Sequence, residues 1–308
     1  MSEHALRKEL LALISGKVLF DEPMARHASM GVGGNADILV YPKDVDELRK
    51  VITFFDGSSV EYLPIGNCTN LIVRDGGYRG ALVSLEKLKR LERCGEGGGD
   101  AIVAAGAGTL LSHVVDFSLK ESLSGLEFCA GIPGSVGGGV RMNAGAWGRE
   151  MKDVVHSVEC MDRGGKLSTV ERPHLHFEYR QLRLSRELII TGAMFKLGRE
   201  IQDVIRRKIT GVLSMRRKEQ PLDCRSAGCI FRNPAGGFAG KLIDEAGLKG
   251  RRIGDACVSD RHANYIVNEG NARAEDIMTL ISIIKKEVRE RFGVLLEPEV
   301  HIIGEARD

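Results

Sequence analysis

One stretch of this chain is nearly bare of side chains. GIPGSVGGGVRMNAGAWG, residues 131–148, holds seven glycines, a proline, a serine and an asparagine, and no acidic residue. Such a backbone can bend into a concave run of N–H donors, an arrangement that suits a pyrophosphate. A second cluster, PIGNCTNLIVRDGGYRG (64–80), places Gly66, Asn67, Thr69 and Asn70 directly after a strand-like run, and AGAG (105–108) lies between the two. The first stretch contains neither GxxxxGK[ST] nor GxGxxG opening a helix after a strand, so neither a P-loop nor a Rossmann turn is indicated. Two such loops in a strand-rich region describe a site that holds an extended dinucleotide along several loops. A tight glycine turn without a ligand is the competing reading of either cluster alone.

Other reactive side chains offer less. The seven cysteines (Cys68, Cys94, Cys129, Cys160, Cys224, Cys229, Cys257) are odd in number and form no CxxC pair, so neither a disulfide framework nor a zinc site is indicated. Reduced thiols in a cytoplasm fit them better. His174 and His176 form HxH, but no third ligand stands at a convincing spacing, and no metal is expected. Trp147 reads as cover for local apolar surface, and GEGGGD (95–100) as a hairpin tip.

The elements that must position these residues follow from periodicity. MSEHALRKELLALISG reads as an amphipathic helix, ADILVYP (36–42) as a strand and VDELRKVITFF (45–55) as a helix. Short β-rich runs separated by turns follow, with one helical pattern at 110–122. A basic helical stretch, 199–221, ends at Pro221 and reads as the crossing to a second unit. Beyond it strand-like and helical patterns alternate, ending in an expected strand VLLEPEVHIIG (294–304). The fold class is α+β.

Bulk properties exclude several roles. The 308 residues exceed a usual single core, and 43% hydrophobic with 28% charged residues is ordinary for a globular chain. A net charge of +2, with basic residues scattered among acidic ones, gives no footprint for nucleic acid. No apolar run is long enough for a membrane span.

The wording GIPGSVGGGVRMNAG, with FEYRQLRL (177–184), SAGCIFRNP (226–234), AGKLIDEAGLKG (239–250) and LEPEV (296–300), is similar to that of the UDP-N-acetylenolpyruvoylglucosamine reductases, in the family's order from about residue 20 onward. The resemblance implies a strand-rich FAD-binding domain of the vanillyl-alcohol oxidase type over 21–200, in subdomains of about 21–75 and 76–200. Before it, the amphipathic pattern gives an N-terminal helix over 1–20, and the resemblance implies a substrate domain over 201–308 whose last strand carries Glu299. FAD would be held by Gly66, Asn67, Cys68, Thr69, Asn70 and Leu71 and by Gly131, Ile132, Pro133, Gly134, Ser135, Gly138, Asn143 and Ala144. NADPH would be the co-substrate and a UDP-sugar the substrate, with Arg232, Asn233 and Lys241 on its diphosphate and sugar.

The implied reaction delivers hydride to an enolpyruvyl ether and then protonates the adjacent carbon. Negative charge developing on the neighbouring carboxylate needs donors aimed at it, and the resemblance puts Arg180 and Glu299 there. A general acid must then stand within hydrogen-bond reach. The family's commonest pattern has serine at that position and this chain has Cys229; a thiol of ordinary acidity, pKa about 8.5, is mostly protonated at neutral pH and can donate. The chain departs from the pattern elsewhere too, with Cys68 and Thr69 for a glycine–serine pair, and Gln181 and Leu182 for an acidic residue and serine. Two rival readings are a flavin oxidoreductase of the same fold acting on another substrate, and a non-catalytic flavin-binding redox module.

Overall fold

The structure, a computed structural model, describes residues 2–185 and 187–307. Met1, where the expected N-terminal helix begins, Arg186 and Asp308 lie outside the described residues. The chain divides into two compact units, neither continuous in sequence. The first takes Met1–Phe20, Ile38–Asn67 and Gly80–Ser214; the second takes Asp21–Asp37, Cys68–Arg79 and Met215–Asp308.

In the first unit, helix α1 (Glu3–Leu13) starts at Ser2, whose side chain accepts from Ala5 N at 3.3 Å. Helix α2 (Val45–Gly57) starts at Asp44, whose carboxylate takes the Glu47 N–H at 2.8 Å. Leu10 on α1 and Leu48, Val51, Ile52 and Phe55 on α2 share one core cluster with Val40, Ala81 and Val83. The strands beneath run in the spatial order Lys17–Pro23, Asn35–Tyr41, Tyr78–Ser84, Tyr62–Ile65, the last pair parallel.

A larger sheet runs in the order Leu167–Glu171, Val155–Met161, Ile189–Arg199, Asp100–Gly106, Leu91–Gly97, all neighbours antiparallel. Burial follows position in it. Ile189–Arg199 has a neighbour on each side and is buried along most of its length, whereas the edge strand Leu167–Glu171 is exposed at all but Val170. Helices α3 (Leu111–Lys120) and α4 (Val136–Arg141) pack Leu111, Val114, Val136 and Val140 into the core with Val103, Val158 and Phe195. The GEGGGD stretch does form a hairpin tip: Gly97 pairs with Asp100, and Gly98 and Gly99 turn between them with φ of +63° and +87°.

Helix α5 (Gln202–Glu219) stops just before Pro221, as the sequence predicts, and its residues from Met215 on belong to the second unit. That unit is built on an antiparallel sheet in the order Arg225–Cys229, Tyr265–Asn268, Ala256–Val258, Arg252–Ile253. Helices α6 (Ala239–Glu245) and α7 (Ala274–Phe292) close its core, bringing Ile243, Ile277, Leu280 and Ile284 against Phe231, Val258 and Ile266. The α7 N-terminus is held by Asp75, which accepts from Ala274 N at 3.0 Å and Glu275 N at 2.9 Å. Gly293, left-handed at φ +69°, ends the helix.

The expected strand over 294–304 is cut down to His301–Ile303, parallel to Leu71–Val73. Pro298 has no N–H to give a ladder. The residues around it bond instead to the segment after Cys229, with Arg232 N donating to Glu297 O at 2.9 Å and Glu299 N to Ile230 O at 2.7 Å. Glu299 therefore precedes the strand. Among the described residues no helix is long and apolar enough to cross a membrane, and no group of three or more His, Cys, Asp or Glu could hold a metal ion. His174 and His176 are both exposed. Trp147 is 41% exposed.

Candidate active site

In the second unit one irregularity of the sheet sets the direction of Cys229. Arg225 pairs with Asn268 and Ser226 with Val267, so a regular strand would bring Gly228 opposite Tyr265; it is Cys229 that pairs there. One extra residue has entered the strand, and Gly228 sits in the left-handed region at φ +77°. This is a β-bulge. Because side chains alternate between faces, it turns Cys229 onto the face that carries Ser226, Val267 and Tyr265. Beyond the bulge, Ile230 N donates to Asn264 O at 2.8 Å. The buried Asn264 amide clamps Phe231 from both ends, accepting from its N at 2.9 Å and donating to its O at 2.8 Å.

Cys229 and Glu299 are thereby joined through one residue, since Glu299 N donates to Ile230 O. The Glu299 carbonyl accepts from Asn70 Nδ2 at 3.2 Å, and His301 N donates to Asn70 O at 3.0 Å. Cys68, at φ +51°, accepts through its carbonyl from Ser29 N, and Ser29 Oγ donates to Ser226 O at 2.7 Å. Cys68 and Asn70, expected at the cofactor, are thus tied through the Ser29 hydroxyl to the strand of Cys229 and through the Asn70 amide to Glu299, and Leu71, expected there too, pairs with His301. Thr69 lies half-buried among them.

Tyr265, 7% exposed, hydrogen-bonds the Cys229 side chain and lies in the field of Arg216 and Glu299. Burial pushes its phenol well above the ordinary range, Cys229 and Glu299 add to this, and Arg216 opposes it only in part. Arg216, 6% exposed, donates to Gln220 Oε1 at 3.1 Å. Sequence reasoning missed both residues. Tyr265 stands in the apolar run YIVN and reads as core; Arg216 stands in the basic end of α5, where charges read as a solvated face. A lone arginine at that helix's inner stripe was the available signal.

Of the three residues expected at a diphosphate and sugar, Arg232 has its Nε buried without a hydrogen-bond partner among the described residues. Asn233 Oδ1 accepts from Ala239 N at 3.0 Å at the start of α6. Lys241 is exposed on α6, its Nζ 3.7 Å from Glu245.

In the first unit the glycines of 131–148 divide into two kinds. A Cβ on Gly137 would lie 2.9 Å from that of Ala107, and one on Gly139 would crowd Met151 and Leu111, so these two let α4 pack closely on the core. Gly138 faces away from that core: a Cβ there would have only Ser135 Oγ near it, at 3.9 Å. A Cβ on Gly66 would stand 2.7 Å from the same oxygen. The two glycine clusters meet around Ser135. Its Oγ and the Asn67 Oδ1 are buried with no hydrogen-bond partner among the described residues. Gly131 and Gly134 turn the chain with φ of +74° and +132°, Pro133 lies between them, and Ile132 and Ala144 pack on the core. The Asn143 side chain is fully buried and spent internally, donating to Glu150 Oε2 and Glu178 O, both at 2.9 Å, and accepting from Lys152 N at 3.0 Å. Its amide shapes the loop from within.

Arg180 also belongs to the first unit. The strands His176–Glu178 and Gln181–Arg183 form a hairpin with Tyr179 and Arg180 as its two-residue loop, and Arg180 is left-handed at φ +58°. A non-glycine residue held there costs about 1–2 kcal/mol, and such outliers gather at functional sites. Arg180 Nη1 donates to Gly145 O at 2.9 Å, and the guanidinium stacks 5.5 Å from the Tyr179 ring. The arginine is thereby fixed to the glycine-rich segment.

This architecture is matched by known proteins. A sequence model described as "FAD binding domain" matches residues 36–171, and one described as "UDP-N-acetylenolpyruvoylglucosamine reductase, C-terminal domain" matches 220–303. The fold is α+β, a FAD-binding domain of the vanillyl-alcohol oxidase type joined to a reductase C-terminal domain, and the class is that of flavin-dependent oxidoreductases. A UDP-N-acetylenolpyruvoylglucosamine reductase of Syntrophus aciditrophicus is 49% identical over 300 residues, 97% of this chain and 96% of that one. One of Caldanaerobacter subterraneus is 41% identical over 306 residues, 99% and 100% of the two chains. The crystal structure of the reductase from Thermus caldophilus superposes with a TM-score of 0.79 at 34% identity, covering 94% of this chain and 99% of that one. The chain belongs to the UDP-N-acetylenolpyruvoylglucosamine reductase family. Its residues fit FAD: Ser135 Oγ and Asn67 Oδ1 are buried without a hydrogen-bond partner among the described residues, and Gly66 and Gly138 put no side chain beside that serine oxygen.

Proposed function

We propose that this protein reduces UDP-N-acetylglucosamine enolpyruvate to UDP-N-acetylmuramate, with FAD as cofactor and NADPH as co-substrate, supplying peptidoglycan precursor synthesis in the cytoplasm. Residues 21–200 serve the flavin and 201–308 the nucleotide sugar. The reading rests on the bulge that turns the Cys229 thiol toward Tyr265 while Glu299 is joined to the neighbouring Ile230. FAD, when bound, supplies the hydride that it takes from NADPH.

The chain's own residues do the rest. Ser135, Asn67 and the backbone around Gly66 and Gly138 hold the cofactor. Arg180 and, in its protonated form, Glu299 donate to the negative charge that develops on the substrate's carboxylate, where fixed donors act strongly once water is excluded. Cys229 Sγ–H gives its proton to the carbon beside that carboxylate. Arg232, with its buried Nε unpaired among the described residues, and Asn233 and Lys241 take the diphosphate and sugar.

Anaerobic stopped-flow measurement tests this. Reduced enzyme should be reoxidised by the enolpyruvyl nucleotide sugar; no reoxidation refutes the assignment. Cys229→Ala should abolish that step while sparing reduction by NADPH, because protonation belongs to the second half-reaction alone, and Cys229→Ser should keep most activity. Parental rates of both half-reactions in Cys229→Ala remove Cys229 from the mechanism.

A further inference from the structure

A thiol offered as a general acid has two requirements that the bulge alone does not meet. Its S–H must be held in one rotamer, since donation needs hydrogen-bond reach to the accepting atom. The thiolate that remains must also be stabilised, or the proton returns. Tyr265 is placed for both. It is the cross-strand partner of Cys229 on the same face of the sheet, with its side chain hydrogen-bonded to the sulfur. Its ring is fixed by an edge contact with His262 at 4.9 Å between centroids, and its backbone N donates to His262 O at 2.9 Å.

We propose that Tyr265 is a positioning residue for the proton donor: its phenolic O–H donates to Cys229 Sγ, fixes the sulfur on the face the bulge selects and stabilises the thiolate left after protonation. The inference deepens the functional reading above and rests on Cys229 being the acid. In the step, the S–H bond breaks, its electron pair stays on sulfur and the proton forms a C–H bond at the carbanionic carbon. Tyr265 keeps its own proton, and water later reprotonates the thiolate.

The other charged and titratable groups around the pair do not take over this role. Arg216, from α5, donates to Gln220. Glu299, from the segment before the last strand, when ionised adds negative charge that disfavours ionising the phenol. His262 is half-buried, and burial disfavours its charged form. Burial and the neighbouring sulfur hold the Tyr265 phenol protonated through the pH range in which a thiol titrates, so it remains a donor whichever state Cys229 is in.

The test uses full-length, FAD-loaded protein and Tyr265→Phe, which removes one oxygen and leaves the ring. Cys229 alkylation by iodoacetamide is followed by peptide-resolved mass spectrometry from roughly pH 6 to 10, with the exposed Cys94 and Cys224 as internal references. Both half-reactions are measured alongside. The expected result is a Cys229 midpoint about one pH unit higher, hence alkylation about tenfold slower near neutrality. Substrate-dependent reoxidation slows about tenfold as well, with reduction by NADPH unchanged. An unmoved midpoint overturns the proposal, and so does a moved midpoint with parental reoxidation. Parental reoxidation in Cys229→Ala overturns the acid assignment itself, and the alkylation profile of Tyr265→Phe reads the hydrogen bond independently of that result.

Discussion

Gly228→Ala sets backbone strain against sheet register at the centre of the site. A Cβ at Gly228 meets nothing within 4 Å, so no clash contributes and only the φ of +77° matters. Holding an L-residue there costs about 1–2 kcal/mol. The strand could shed that strain by losing the bulge. If the downstream half moved, three hydrogen bonds around Asn264 would break, from Ile230 N to its carbonyl and the two that clamp Phe231. At about 1 kcal/mol each, with a buried amide left unpaired at about 1–3 kcal/mol, slipping costs more than the strain it relieves. If the upstream half moved, the Arg225–Asn268 and Ser226–Val267 pairs and the Ser29 bond to Ser226 O would go. The bulge should therefore survive. Gly228→Ala is expected to lose about 1–2 kcal/mol in urea unfolding with an unchanged slope, and to retain substrate-dependent reoxidation and Cys229 alkylation. Gly228→Asn, whose side chain tolerates the left-handed region, should lose less. Full stability in Gly228→Ala refutes the strain argument. Loss of reoxidation with folding intact refutes the ranking of slip above strain.

Two further outcomes follow from the first unit. Glu47 is 4% exposed; burial raises its carboxyl, but hydrogen bonds from Lys43 N, Ser15 Oγ and Ser15 N and the Lys43 ammonium outweigh this and hold it at about 2. A depressed carboxyl stabilises the fold fully above its ordinary pKa of 4.5, and that stabilisation is lost as pH falls toward about 2. Glu47→Gln should cost about 2–3 kcal/mol near neutrality; the deficit should shrink below pH 4.5, and a pH-independent deficit in urea titrations would contradict the linkage. Gly66→Ala brings a Cβ to 2.7 Å from the buried Ser135 Oγ. Ser135 Oγ must then turn aside, and at about 1.5 kcal/mol for a lost hydrogen bond to the cofactor, apo-protein should take up FAD about tenfold more weakly by flavin fluorescence quenching, and parental affinity would remove Ser135 from the cofactor site.

Much of this organisation was legible because it is local. The helical stripes at 45–55 and 110–122, the stop at Pro221 and the glycine hairpin tip each depend on a handful of neighbouring residues, and each formed as read. The strand expected over 294–304 did not, because its alternation says nothing about which partner takes its N–H groups, and Pro298 removes one of them. Gly228 is visible in SAGCIF, but a glycine does not announce a bulge until the pairing of Ser226 with Val267 is known. The division into units was hidden for the same reason: Cys68–Arg79 joins the second unit through a parallel pairing with His301–Ile303. Tyr265 and Arg216 were masked by their surroundings, one by apolar neighbours and the other by charged ones.

That parallel pairing also orders the protein's biosynthesis. A ribosome delivers Leu71–Val73 early and His301–Ile303 only after the rest of the described sheet residues have emerged. Until then Asn70 has no Glu299 carbonyl to donate to, and the short strand beside it stays an open edge. Each nascent chain therefore carries the loop over 68–71 in an unfinished form while the residues between the two strands are made, and the stretch that finishes the loop is the one that brings in Glu299.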